Sequence, residues 1–186
     1  MVTIKISGIT QRVEEEIAHI IADKIEPNLR KGVPDRIRYY VDEQTGEVTY
    51  TTLTATQYCN MLRPQEEFEY IVGSYEKAAK LIYRRLRPKP EDAILAWQIV
   101  QTFDGVENPI VANRIGFDMV SILFPLHPAV ISTHTNTEHI HNHIIISSWN
   151  LNGFKRRDFL EYYADIVDCT EQLCKNMGRH HQVMRE

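Results

Sequence analysis

The chain carries the run His134-Thr-Asn-Thr-Glu-His139-Ile-His141-Asn-His143, followed at once by Ile144, Ile145 and Ile146. Alternate side chains of a β-strand share one face, so residues at i, i+2 and i+4 line up. His139, His141 and His143 therefore predict a strand over Ile140 to Ser148, with imidazoles in a row on one side. Ala129 to His134 predicts a second strand, and Thr135-Asn136-Thr137-Glu138 is a short polar turn that brings His134 across to the row. Neighbouring imidazoles repel when protonated, whereas a divalent cation holds them neutral as ligands. Imidazole suits Zn²⁺, Mn²⁺, Ni²⁺ and Cu²⁺, and three nitrogen ligands leave positions open for substrate oxygens. Surface histidines on an edge strand are the bland alternative. It describes a lone histidine well, but not three at strand spacing with a fourth across the turn. His127, His19 and His180-His181 read as ordinary loop and helix residues.

The rest of the chain supplies the frame. Residues 2–6 alternate as a short strand, and Val13, Ile17, Ile20, Ile21 and Ile25 have the 3/4 spacing of a helix. Pro27 and the Gly32-Val33-Pro34 step break it. Ile37 to Val41 is short and fits either state. Asp42 to Gly46 is a turn, and Val48 to Thr54 is β-branched enough for a strand. A long helix is predicted over 65–87, ended by Pro88 and Pro90. Ala93 to Phe103 is an apolar run broken by Gln98 and Gln101, with a strand near its end. Asn108 and Pro109 form an N-cap and first-turn pair that starts a helix running to about Phe124. Asn152-Gly153 makes a turn, and 158–177 is a helix with Gly178 as its stop. The plan is α+β: an antiparallel sheet with helices packed to one side.

A chain of 186 residues fits one domain, and 43% hydrophobic with 25% charged residues is ordinary for a soluble globular protein. Its start lacks the basic head and long apolar stretch of a secretory signal, and no run approaches the roughly 20 residues of a membrane span. Three cysteines without a CxxC pair argue against a disulfide framework, so a reducing cytoplasm is the expected setting. The net charge of −4 does not advertise a nucleic-acid partner. Basic residues nevertheless cluster in Arg84-Arg85-Leu86-Arg87-Pro88-Lys89 and in Lys155-Arg156-Arg157.

The histidine run resembles the HxDxxHxHxH motif of MobA/MobL-like mobilisation relaxases, members of the HUH endonuclease superfamily. The approach from Trp97 to Phe103, with Pro109, Ala112, Ile115, Gly116 and Val130, is similar to that family's lead into the motif. The segments on the C-terminal side of the run, Ser147 to Lys155 and Asp165 to Gly178, are similar to that family as well. The likeness covers about residues 35–180, which makes the chain a single relaxase domain with 1–34 as an N-terminal extension.

The resemblance implies an HUH-like α+β fold, a metal held by His134, His141 and His143, and a substrate-side role for His139. It implies a tyrosine nucleophile, for which Tyr40 and then Tyr39 stand ahead of Gln44-Thr45. It implies a site-specific single-strand endonuclease and strand transferase. Such an enzyme nicks origin-of-transfer DNA through a 5′-phosphotyrosine, using Mn²⁺ or Mg²⁺, with Zn²⁺ or Ni²⁺ able to occupy the site in a purified sample. Relaxosome accessory proteins and a coupling ATPase are the implied partners, with no membrane insertion. Trp149, Lys155, Arg156 and Arg157, with Phe154, lie just beyond the metal strand and are the expected single-stranded DNA contacts.

Two positions depart from the motif. Asn136 replaces its aspartate, and Gln44 replaces the lysine of a lysine–threonine pair. Both motivate an alternative, a nuclease-dead single-stranded DNA-binding module. A metal-dependent small-molecule hydrolase or oxygenase is a third reading, which would want a carboxylate ligand such as Glu138.

Overall fold

A computed structural model describes residues 2–21, 38–41, 48–51, 53–60, 63–82, 93–106, 108–135, 139–156 and 158–183. Among these, five strands form one antiparallel sheet. They are β1 (Val2–Ile9), β4 (Thr54–Gln57), β5 (Ala96–Phe103), β6 (Ala129–His134) and β7 (His141–Ser147), in the order β1-β5-β7-β6-β4. A separate two-stranded ribbon pairs β2 (Arg38–Val41) with β3 (Val48–Thr51). The helices are α1 (Val13–Ile21), α2 (Pro64–Ile82), α3 (Pro109–Leu123) and α4 (Tyr163–Val183), the last preceded by a 3-10 turn at Leu160–Tyr162.

β6 and β7 form as their alternation predicts. All six residues of β6 are buried, as are Ile144, Ile145 and Ile146 of β7. Burial of both faces comes from helices on both sides, which corrects the expectation of helices to one side. On one face Ile99, Ile131, Ile144 and Ile146 pack with Met119, Val120 and Phe124 of the α3 segment and Ile166 of α4. On the other, Val130 and Ile145 pack with Val13, Ile17, Ile20 and Ile21 of α1 and Phe68 and Val72 of α2. His134, His141 and His143 share the parity of Val130 and Ile145, so they belong to the α1/α2 face.

The α3 start is as expected: Asn108 Oδ1 accepts from the Ile110 N–H with proline in the first turn. The run Val48 to Thr54 divides between two sheets, since β3 ends at Thr51 and the chain enters β4 at Thr54, opposite Ser132. Gly178 does not stop the last helix, which continues to Val183. A glycine inside a helix costs only about 1 kcal/mol and cannot end it alone. Gly153 takes a left-handed backbone (φ 78°), as its turn requires.

Candidate metal and nuclease site

The register of β6 against β7 puts His134 directly opposite His141, and Ser132 opposite His143. Three imidazoles from two strands therefore converge. Their ring centroids lie 5.3 Å (His134–His141), 4.6 Å (His134–His143) and 5.2 Å (His141–His143) apart. One ring nitrogen from each lies within 4.8 Å of the others, a spacing that three ligands of one ion can adopt.

Each ring has its other nitrogen engaged. His134 is 7% exposed, and its Nε2 lies 2.7 Å from the Ile20 carbonyl oxygen, in the last turn of α1. A carbonyl only accepts, so Nε2 carries the proton and Nδ1 has the lone pair. His141 Nδ1 lies 3.1 Å from the His139 carbonyl oxygen and donates there, leaving Nε2. His143 Nδ1 lies 3.3 Å from the Gln98 side-chain amide of β5. Metal-binding histidines characteristically donate their second N–H to acceptors such as the Ile20 and His139 carbonyls. Burial, then the neighbouring His134, His141 and His19, hold the His143 pKa down at about 4, so its ring is neutral and free to act as a ligand. The residues present thus fit a divalent metal.

Not every expected residue joins the cluster. β7 begins at His141, and His139 sits in the preceding bend with an exposed side chain outside the triad. The strand face that His139 was expected to share starts one step too late, and its carbonyl oxygen lies 3.1 Å from His141 Nδ1. Tyr39 and Tyr40 lie on β2, paired with Tyr50 and Thr49. Asn136, Glu138, Gln44 and Arg157, and the 84–89 basic run, lie outside the described residues.

Trp149 and Lys155 take positions different from the ones a DNA platform needs. Trp149 is 7% exposed, stacks on Tyr75 and donates from Nε1 to Glu76 Oε1. Lys155 forms an ion pair with the same carboxylate and lies over the indole. Arg156 packs its guanidinium 4.1 Å from the Tyr162 ring centroid, beside Phe124 and Phe159. Phe154 is the exposed aromatic of this segment, at 70%. The segment leaves the C-terminal end of β7, about 20 Å along the strand from His141.

His19, set aside in the sequence, is the residue that sequence reasoning missed: it adjoins Ile20 on α1 and its charge reaches His143. No local pattern could have found it, because Ile20 and His134 are 114 residues apart. The thiols are unsuited to nucleophilic work, since burial pushes Cys59 up to about 12 and raises Cys169 and Cys174.

Residues 39–179 match the family described as relaxase, MobA/VirD2-like, nuclease domain. The chain belongs to that family. Among curated proteins it is similar to three proteins from Staphylococcus aureus, each named Protein rlx. One is 32% identical over 106 residues, covering 56% of this chain and 33% of the relative. A second is 32% identical over 107 residues (56% and 32%), and a third 31% over 78 residues (41% and 24%). The match to this relaxase nuclease-domain chain thus spans about a third of the first two relatives' length. Among the described residues no helix is long and apolar enough to cross a membrane.

Proposed function

We infer that this chain nicks one strand of DNA at a transfer origin, for conjugation or mobilisation, and holds the cut end on a tyrosine. The observation that carries this reading is the triad of imidazoles, each with its second nitrogen engaged, inside a relaxase nuclease domain. His134 through Nδ1, and His141 and His143 through Nε2, would hold the divalent metal, Mn²⁺ or Mg²⁺. When bound, it supplies Lewis-acid stabilisation to the scissile phosphate.

In the cut, the tyrosine oxygen bonds to phosphorus and the P–O3′ bond breaks. The phenol gives up its proton and the 3′ oxygen gains one, leaving a 5′-phosphotyrosine and a 3′-hydroxyl. The bond energy is retained for rejoining. One of Tyr39 and Tyr40, adjacent on β2, serves, and we assign Tyr40. Tyr40 pairs with Thr49, four residues before Leu53. The Leu53 carbonyl accepts from the Thr133 N–H, next to His134, and from Asn113 Nδ2. Four residues span no more than about 14 Å, so the Thr49 backbone lies within that reach of Leu53. His139 stands on the substrate side. Strand contacts by the exposed Phe154 are with nucleotides several positions from the cut. Accessory relaxosome proteins and a coupling ATPase are the partners, in the cytoplasm.

The replacements Asn136 and Gln44 favour a second reading, a DNA-binding module that no longer cuts. Labelled single-stranded origin DNA from the encoding element, incubated with the protein and Mn²⁺ or Mg²⁺, separates the two. Metal-dependent nicking that His141→Ala abolishes supports the nuclease. Salt-dependent binding without nicking, restored to nicking by Asn136→Asp, supports the second reading.

A further inference from the structure

His134 and His141 direct their second nitrogens at backbone carbonyls, which no side-chain substitution removes. His143 differs. Its hydrogen-bonding partner is a side chain, Gln98, whose Nε2 lies 3.3 Å from His143 Nδ1. Gln98 sits on β5 opposite Ile145, two residues along from His143, and shares the α1/α2 face of the sheet.

A half-turn of an amide exchanges its oxygen and nitrogen at almost the same positions, so Gln98 can present either one to Nδ1. With Oε1 there it accepts from Nδ1–H, and the Nε2 lone pair joins those of His134 and His141.

The geometry points to Gln98 as the positioning residue that holds His143 in its metal-binding tautomer, with the amide oxygen accepting from Nδ1–H. This rests on the metal-site reading above. A neutral amide is also a weaker acceptor than a carboxylate. It leaves the His143 nitrogen less electron-rich, which suits a site that must exchange a hard cation's ligands for phosphate oxygens. The residue therefore sets how tightly the site binds metal as well as which nitrogen is offered.

The test uses the full chain with Mn²⁺ titrated by calorimetry, and with Zn²⁺ as a diamagnetic probe for ¹⁵N–¹H NMR of the histidine rings. Gln98→Met keeps the length of the side chain and removes the acceptor. It is expected to weaken Mn²⁺ binding by about 10-fold or more. Gln98→Glu is expected to bind at least as tightly as the unsubstituted protein. The NMR is expected to show His143 protonated at Nδ1 with Zn²⁺ bound. Unchanged affinity in Gln98→Met, loss of affinity in both variants, or His143 protonated at Nε2 with Zn²⁺ bound would overturn the proposal. His141→Ala separates the two levels. If it binds Mn²⁺ normally, the metal-site reading falls and Gln98 falls with it. If it loses Mn²⁺ while Gln98→Met does not, only the role of Gln98 falls.

Discussion

Two glycines in helix interiors should respond in opposite ways to the same substitution. Gly73 of α2 has nothing within 4 Å of where a Cβ would sit. Gly73→Ala should therefore express the plain helix preference, a gain of about 0.8–1 kcal/mol. Gly116 of α3 backs onto β7: its Cβ would lie 2.6 Å from Asn142 Nδ2, 3.1 Å from Ile131 Cγ2 and 3.2 Å from Gln101 Oε1. Asn142 is fully buried between His141 and His143. It donates to Gln101 Oε1 and the Ala112 carbonyl and accepts from Thr133 Oγ1. The network continues through Asn113 Nδ2 to Leu53 and through Gln101 Nε2 to Thr170. The amide cannot retreat without releasing these partners. Each buried group left unpaired costs about 1–3 kcal/mol, and overpacking a core costs a similar amount. Set against the same helix gain, Gly116→Ala should lose about 2–4 kcal/mol. For a chain of this size that lowers Tm by about 5–15 °C, while Gly73→Ala raises it by about 2–4 °C. Circular-dichroism melts and urea midpoints measure both. Because Asn142 lies between two histidines of the candidate triad, folded Gly116→Ala should also bind Mn²⁺ more weakly. A Gly116→Ala protein as stable as its parent would refute the packing account of this network.

Burial has further consequences. In the metal-free protein, His143 resists protonation down to about pH 4, whereas in the unfolded chain it takes up a proton near 6.5. Stability should hold above pH 6.5, fall as pH drops from 6.5 to about 4, and lose nothing further from this group below that. Buried His127, also shifted down, adds to the fall, and urea midpoints of His143→Gln should show a shallower pH slope. Lys155→Ala leaves Glu76 without its ion pair beneath Trp149 and should cost about 2–4 kcal/mol in urea unfolding. Phe154→Ala, at an exposed ring, should change stability by no more than about 0.5 kcal/mol. If Lys155→Ala melts like the parent while losing DNA affinity, Lys155 contacts DNA after all.

Local rules made the histidine strands legible. Strand alternation with an apolar triplet marks β7, and the Asn108–Pro109 cap marks α3. The site became less legible wherever distant segments decide. The continuous β-branched run hid the break at which the chain leaves β3 for β4, because that break reflects a pairing partner on β6. His139 obeys the spacing of the row, yet the strand begins after it. Gln98 looked like a polar interruption in an apolar run, and its use emerges only when β5 lies beside β7. Trp149 and Lys155 carry the side chains of a DNA contact, but Glu76, more than 70 residues earlier, occupies both.

The central claim is that the triad and a ribbon tyrosine act together on single-stranded DNA. The most direct measurement mixes the chain with labelled origin-region oligonucleotide and Mn²⁺ and looks for a covalent adduct that survives SDS. Mass spectrometry then locates the modified residue. The account predicts an adduct on Tyr40, absent from Tyr40→Phe, from His141→Ala and from metal-stripped protein. An adduct that persists in both Tyr40→Phe and Tyr39→Phe, or that forms equally well in His141→Ala, would contradict it.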